Sequence, residues 1–135
     1  MRLINSLDGK HNDGRRTPPD TFRKLDDEFH FNDDPCPLEG ATNDCAGLLR
    51  EWGTSTFVNP PYSNPSPWCE KAVMEWRKGK TVVMLLRVDT STRWFHRFVL
   101  PFAKIRWIEG RLKFDGLKCA PFASMIAIYS QEKIL

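Results

Sequence analysis

The chain has 135 residues, of which 41% are hydrophobic, 12% aromatic and 27% charged. That composition fits one globular domain and excludes a disordered chain, and because no apolar run exceeds five residues, as at Val82–Leu86, it also excludes a membrane-spanning helix. The net charge of +3 is unevenly divided, −5 over residues 1–70 and +8 over residues 71–135, which suits either a protein whose second half meets a polyanion or two solvated faces of opposite sign.

Residues 1–14 are polar, with Asp8-Gly9 and Asp13-Gly14, and read as a flexible N-terminal arm ahead of a single domain over 15–135. Met1–Lys10 lacks the apolar core and cleavage site of a secretory signal, so a cytoplasmic location and reduced thiols at Cys36, Cys45, Cys69 and Cys119 are expected. Thr17-Pro18-Pro19-Asp20 reads as a helix start: Thr17 caps, Pro18 suits the first turn and Asp20 completes a T-x-x-D box. Phe22, Leu25 and Phe29 supply its apolar stripe. Phe29-His30-Phe31 alternates towards a short strand ending at Asp33-Asp34, where Pro35 and Pro37 stop regular structure. Residues 35–55 read as loop, broken by a short helix around Leu48–Trp52.

Thr56–Asn59 is a brief β-prone run that ends at Pro60-Pro61. Ser66-Pro67 opens a helix with Trp68, Ala72 and Trp76 at four-residue steps, closed by Gly79. Thr81–Val88 is a buried strand, and Ser91–Phe102 is an amphipathic helix with Trp94, Phe98 and Phe102 on its apolar face and Arg93 and Arg97 on another. Lys104–Ile108 is a strand, Gly110 turns the chain into Leu112-Lys113-Phe114, and Phe122–Tyr129 is the last strand. Strands alternating with helices from Thr56 onward predict an α/β layered fold with a largely parallel sheet.

The tetrapeptide Asn59-Pro60-Pro61-Tyr62 falls between a predicted strand and a predicted helix, where open α/β sheets place ligands. Its groups make chemical sense together. The Asn59 side-chain oxygen and the Pro60 carbonyl are two acceptors on a stiff turn, able to hold both protons of an exocyclic amine and aim its lone pair at an electrophile. Tyr62 offers a face on which an extruded base can stack. No strong base is required, because the amine attacks first and sheds a proton afterwards, so catalysis is chiefly placement and hydrogen bonding. The bland alternative is a Pro-rich turn carrying a core Tyr.

Asn59-Pro60-Pro61-Tyr62 resembles the motif of amino-methyltransferases that use S-adenosylmethionine. From about Arg16 to Tyr129 the chain is similar to the small phage-encoded N6-adenine DNA methyltransferase family. The resemblance rests on Thr17-Pro18, Asp34-Pro35-Cys36-Pro37, Trp52 ahead of Phe57–Ser63, Val82–Leu86, Asp89–His96, Gly110–Phe114 and Pro121-Phe122-Ala123-Ser124, in that order. It implies a Rossmann-like methyltransferase fold with a C-terminal antiparallel element, adenine-N6 methylation of DNA, and Asn59, Pro60, Pro61 and Tyr62 as catalytic residues. It further implies that Thr17, Pro18, Asp34, Pro35 and Cys36 contact S-adenosylmethionine, the Asp34 anion facing a ligand that carries ammonium and sulfonium charges. The chain departs from the family pattern after Asp34, where one glycine stands in place of a Gly-rich loop and 24 residues lead to Asn59. The cofactor half is therefore expected to be truncated, with Asp44 either replacing the usual acidic ribose ligand or serving as a turn residue.

Ser63, Arg93, Arg97, Arg106, Arg111 and Lys113 are the candidate nucleic-acid contacts, with Trp94, Trp107 and Phe114 interleaved. Lys and Arg on ordinary solvated faces are the alternative, and His96 reads better as a structural histidine than as a substrate contact. The scattered His11, His30 and His96 and the absence of a C-x-x-C pair give no metal-site spacing. Besides DNA adenine methylation, two alternatives stay open: a catalytically weak or inactive nucleic-acid-binding relative, and methyl transfer to cytosine, RNA or a glutamine amide. A sheet shortened on one side leaves an edge that a homodimer would cover.

Overall fold

The computed structural model describes residues 16–37, 46–114 and 118–131. Helix α1 (Pro19–Phe29) starts at a proline because the N–H that proline lacks would go unpaired in a first turn. Pro18 occupies the cap position and no side chain caps the helix. The expected T-x-x-D box therefore does not form: the helix begins one residue too late for Thr17 to cap it. Leu25 is buried with Phe22 and Phe29 beside it, the apolar stripe seen in the sequence. His30 ends the helix in the left-handed region at φ 54°. The chain then runs beside β1 (Ser55–Val58), joined by a parallel bridge from Asp33 to Thr56.

The short helix α2 (Ala46–Leu49) lies so close to the preceding loop that a Cβ on Gly47 would sit 2.0 Å from the Pro35 carbonyl oxygen. Only glycine permits that approach. Helix α3 (Ser66–Arg77) and strand β2 (Thr81–Arg87) follow, with Gly79 at φ 99° turning between them. Within the predicted amphipathic helix over 91–102, Phe95–Val99 form a π-helix. Strand β3 (Lys104–Trp107), the hairpin of β4 (Lys113–Phe114) and β5 (Lys118–Cys119), and strand β6 (Ser124–Tyr129) complete the chain.

The main sheet has four strands in the order β1-β2-β6-β3. β1 and β2 are parallel, while β6 is antiparallel to both β2 and β3. The sheet is thus mixed rather than largely parallel. Intervening helical segments return β1, β2 and β3 in one direction, but the last strand inserts between β2 and β3 against them, a pairing that no local pattern reveals. Both faces are covered. Val82, Met84, Leu86, Met125, Ala127 and Tyr129 pack under α3 and the π-helix, while Phe57, Val83, Leu85, Ile126 and Ile128 pack with Leu25 of α1 and Phe114. A strand buried on both sides is continuously apolar, as β2 is.

An ionic clasp fixes the start of β2. The fully buried Glu75 accepts hydrogen bonds from Lys80 at 2.6 Å, Lys71 at 3.0 Å and Lys78 at 3.3 Å, and from the Trp52 N–H at 3.3 Å. Burial alone would raise its pKa, but the lysine hydrogen bonds and charges bring it down to about 2. Lys80 also donates to the Trp52 carbonyl at 2.6 Å, so the segment entering β1 is held to α3 and β2 together.

Candidate active site

The parallel strands β1 and β2 end side by side, and residues 59–65 cross the end of the sheet towards α3. Asn59, Pro60, Pro61, Tyr62 and Pro65 from this crossing line an open concavity. Leu85, Leu86 and Arg87 from the end of β2 also line it, with Phe114 of β4, Phe122 just before β6 and Ser124 at its start.

The half-buried Asn59 side chain has a definite orientation. Its Nδ2 donates to Thr17 Oγ1 at 3.0 Å, across 42 residues of sequence. That hydrogen bond holds the amide in place beside Thr17. Pro60 and Pro61 add no N–H that could compete for an acceptor. The Tyr62 ring stacks on Phe122, with centroids 4.8 Å apart and planes inclined by 15°. Arg87 braces the same ring: its guanidinium lies 5.2 Å from the Tyr62 centroid and 5.4 Å from that of Trp94, and it donates to the Tyr62 carbonyl oxygen. Asp89 pairs with Arg87 at 3.5 Å. Asn59, Pro60 and Tyr62 therefore line one cavity, with the Tyr62 ring covered by Phe122 and Arg87.

Thr17, Pro18 and Asp34, expected to contact the cofactor, lie at the same end of the sheet. Thr17 and Pro18 are half-buried, and Thr17 touches Asn59 directly. Asp34 follows the bridge to β1 and is exposed, whereas Pro35 and Cys36 are buried, Cys36 within the core beneath α3. Asp44 lies outside the described residues. The neighbouring Asp33 has a structural task. It accepts two hydrogen bonds from Arg50, at 2.7 and 2.8 Å, and one from the Gly53 N–H at 2.8 Å. The Arg50 hydrogen bonds lower its pKa, against burial.

Of the predicted nucleic-acid contacts, Ser63, Arg93, Arg97, Arg111 and Lys113 are exposed. Arg106 is engaged: it makes two hydrogen bonds to Glu28, at 2.8 and 2.7 Å, which raise its pKa. Trp94 and Phe114 are buried while Trp107 is 61% exposed. The His96 ring nitrogen bonds the Thr90 carbonyl at 2.6 Å, the structural role the sequence suggested. Phe122, Ser124 and Arg87 were not singled out as site residues by the sequence. Phe122 and Ser124 belong to the quoted Pro121–Ser124 motif, but only the sheet order brings that motif to the pocket.

Among the described residues, no group of three or more His, Cys, Asp or Glu side chains could hold a metal, and no helix is long and apolar enough to cross a membrane. Residues 5–128 match the family described as DNA N-6-adenine-methyltransferase (Dam). A DNA N-6-adenine-methyltransferase of Haemophilus phage HP1 is 36% identical over 103 residues, 68% of this chain and 60% of that protein. A protein of the same name from Escherichia phage T1 is 40% identical over 70 residues, 50% of this chain and 29% of that protein. The matched region therefore spans less than two thirds of either relative. No solved structure shows a significant match. The tetrapeptide at the end of β1, the order of the surrounding motifs and a match over nearly the whole length give one conclusion: the chain belongs to the DNA N-6-adenine-methyltransferase (Dam) family.

Proposed function

We propose that this protein methylates the N6 amine of adenine in DNA, using S-adenosylmethionine, on a base turned out of the helix into the pocket at Asn59. The observation that carries the proposal is the Asn59 amide, which lines an open cavity and is oriented by Thr17. The fold is read as a truncated methyltransferase sheet. In favour are the cavity at the carboxyl ends of parallel β1 and β2 and the reversed final strand.

The donor set suits the cofactor. Asp34 brings an exposed carboxylate to the sheet end where Thr17 and Pro18 lie, suitable for a cationic amino-acid tail, and the backbone at Pro35 and Cys36 lines the same turn. When bound, S-adenosylmethionine supplies an electrophilic methyl group on a sulfonium sulfur. Asn59 Oδ1 and the Pro60 carbonyl accept the two N6 protons and draw the amine lone pair out of the ring's π system. Both acceptors gain strength as positive charge builds on the nitrogen, which is where preorganised dipoles lower a barrier. Tyr62 holds the base by stacking, and the Phe122 ring now against Tyr62 marks the place of such a plane. Arg93, Arg97, Arg111 and Lys113 are exposed cations for phosphate contact.

The test is transfer of labelled methyl from S-adenosylmethionine to unmethylated DNA, followed by digestion and identification of the modified nucleoside. N6-methyladenine is expected, and Asn59→Ala should lower the rate by about a hundredfold or more with circular dichroism unchanged. A folded protein that leaves the DNA unlabelled would overturn the proposal, and label on cytosine would move the acceptor.

A further inference from the structure

Ser124 opens β6, directly opposite Arg87 in the β2 register, and lines the pocket. It is 1% exposed, and its Oγ is a buried side-chain oxygen with no hydrogen-bond partner, the one such atom among the described residues. Comparable hydroxyls in this sheet are satisfied: Thr56 donates to the Gly53 carbonyl at 3.0 Å, and Tyr129 to the Phe98 carbonyl at 2.6 Å. An orphaned buried hydroxyl costs folding free energy that an alanine would avoid. Three residues along β6, Ala127 is fully buried at no such cost. The cost makes sense if the partner arrives with a ligand.

We propose that Ser124 determines base specificity, its hydroxyl donating to a ring nitrogen that flanks the exocyclic amine held at Asn59. This rests on the function proposed above. Asn59 follows β1 and Ser124 begins β6, with β2 between them. Two strand spacings separate their backbones by about 10 Å, and side chains reaching in from both sides leave a gap that a heterocycle spans. Much of the wall between them is apolar: Pro60, Pro61, Leu85 and Leu86. In adenine, the atoms on either side of the amine-bearing carbon lead to N1 and N7, both acceptors, and a single hydroxyl donor serves either. Donation to N7 also rejects cytosine, which has a C–H on the matching side of its amine.

The test compares wild type with Ser124→Ala on chemically synthesised random-sequence DNA carrying adenine, 7-deazaadenine or 1-deazaadenine, so that no target sequence need be known and no polymerase has to pair an adenine without N1. On adenine DNA, Ser124→Ala is expected to lower kcat/KM by about three- to tenfold, the worth of one net hydrogen bond. On the analogue lacking the recognised nitrogen, wild type should fall to the level of Ser124→Ala and the difference between them vanish; on the other analogue it should persist. The melting temperature of Ser124→Ala should equal or exceed that of wild type, because the deleted hydroxyl has no partner in the free protein. A difference that persists on both analogues, an unchanged kcat/KM on adenine DNA, or a clearly lower melting temperature would overturn the inference while leaving the methylation reading intact. A wild type inactive on adenine DNA would overturn both.

Discussion

The clasp around Glu75 predicts a defined acid sensitivity. Glu75 is buried and contacted by three lysines, and its pKa falls from 4.5 to about 2. Because the folded-state value is depressed, the contribution is fully present above about pH 4.5 and is lost as pH falls through about 2. At 1.36 kcal/mol per unit this amounts to about 3 kcal/mol, a large share of a small domain's stability. Replacing the carboxylate by Glu75→Gln should cost a similar amount at pH 7, since the Lys80 ammonium, only 10% exposed, then faces a neutral amide and keeps only the outer Glu51 carboxylate at 2.9 Å. Urea unfolding of both proteins at one-unit steps from pH 7 to pH 2 isolates the group, because the other carboxylates titrate in each. The stability difference should be widest at pH 7 and close between pH 4.5 and 2. A difference independent of pH, or one closing above pH 5, would refute the assignment.

Thr17→Val removes the acceptor that orients Asn59 at 3.0 Å. The loss of one neutral hydrogen bond, about 1 kcal/mol, should lower kcat about fivefold with KM for DNA unchanged and with recovery in Thr17→Ser; a raised KM for S-adenosylmethionine at unchanged kcat would show that the hydroxyl serves the cofactor alone. Arg93→Ala combined with Arg97→Ala should weaken DNA binding and reduce the salt slope by about two, measured by fluorescence anisotropy at several ionic strengths. Arg106→Ala should leave that slope nearly unchanged, because its guanidinium is matched by Glu28, and a loss equal to that of the helix arginines would contradict the pairing.

The parts of the molecule that were legible in the sequence are those whose signal is local. Helix α3 shows itself by Trp68, Ala72 and Trp76 at four-residue steps, β2 by an unbroken apolar run, and the turn at Asn59 by its four residues alone. The strand ending near Asp33 emerges as a single bridge to Thr56. Thr17 illustrates the opposite case: its helix-capping pattern was plausible, but the pairing that uses its hydroxyl is with a residue 42 positions away. The place of β6 in the sheet depends on long-range pairing, and so do the roles of Arg87, Phe122 and Ser124, which converge only once that strand lies beside β2. A π-turn in place of an α-turn at Phe95–Val99 leaves the same amphipathic pattern behind.

The hydrogen bond between Thr17 and Asn59 has a practical consequence. Thr17 lies beside the pocket, whereas β6 runs from Ser124 at the pocket to Tyr129 opposite Val82, at the far side of the sheet. A fluorescent label on the exposed Arg16 would therefore sit beside the pocket and respond to a ligand that enters it. The same label on Gln131, past the end of β6, would lie at the far side of the sheet and serve as the silent control.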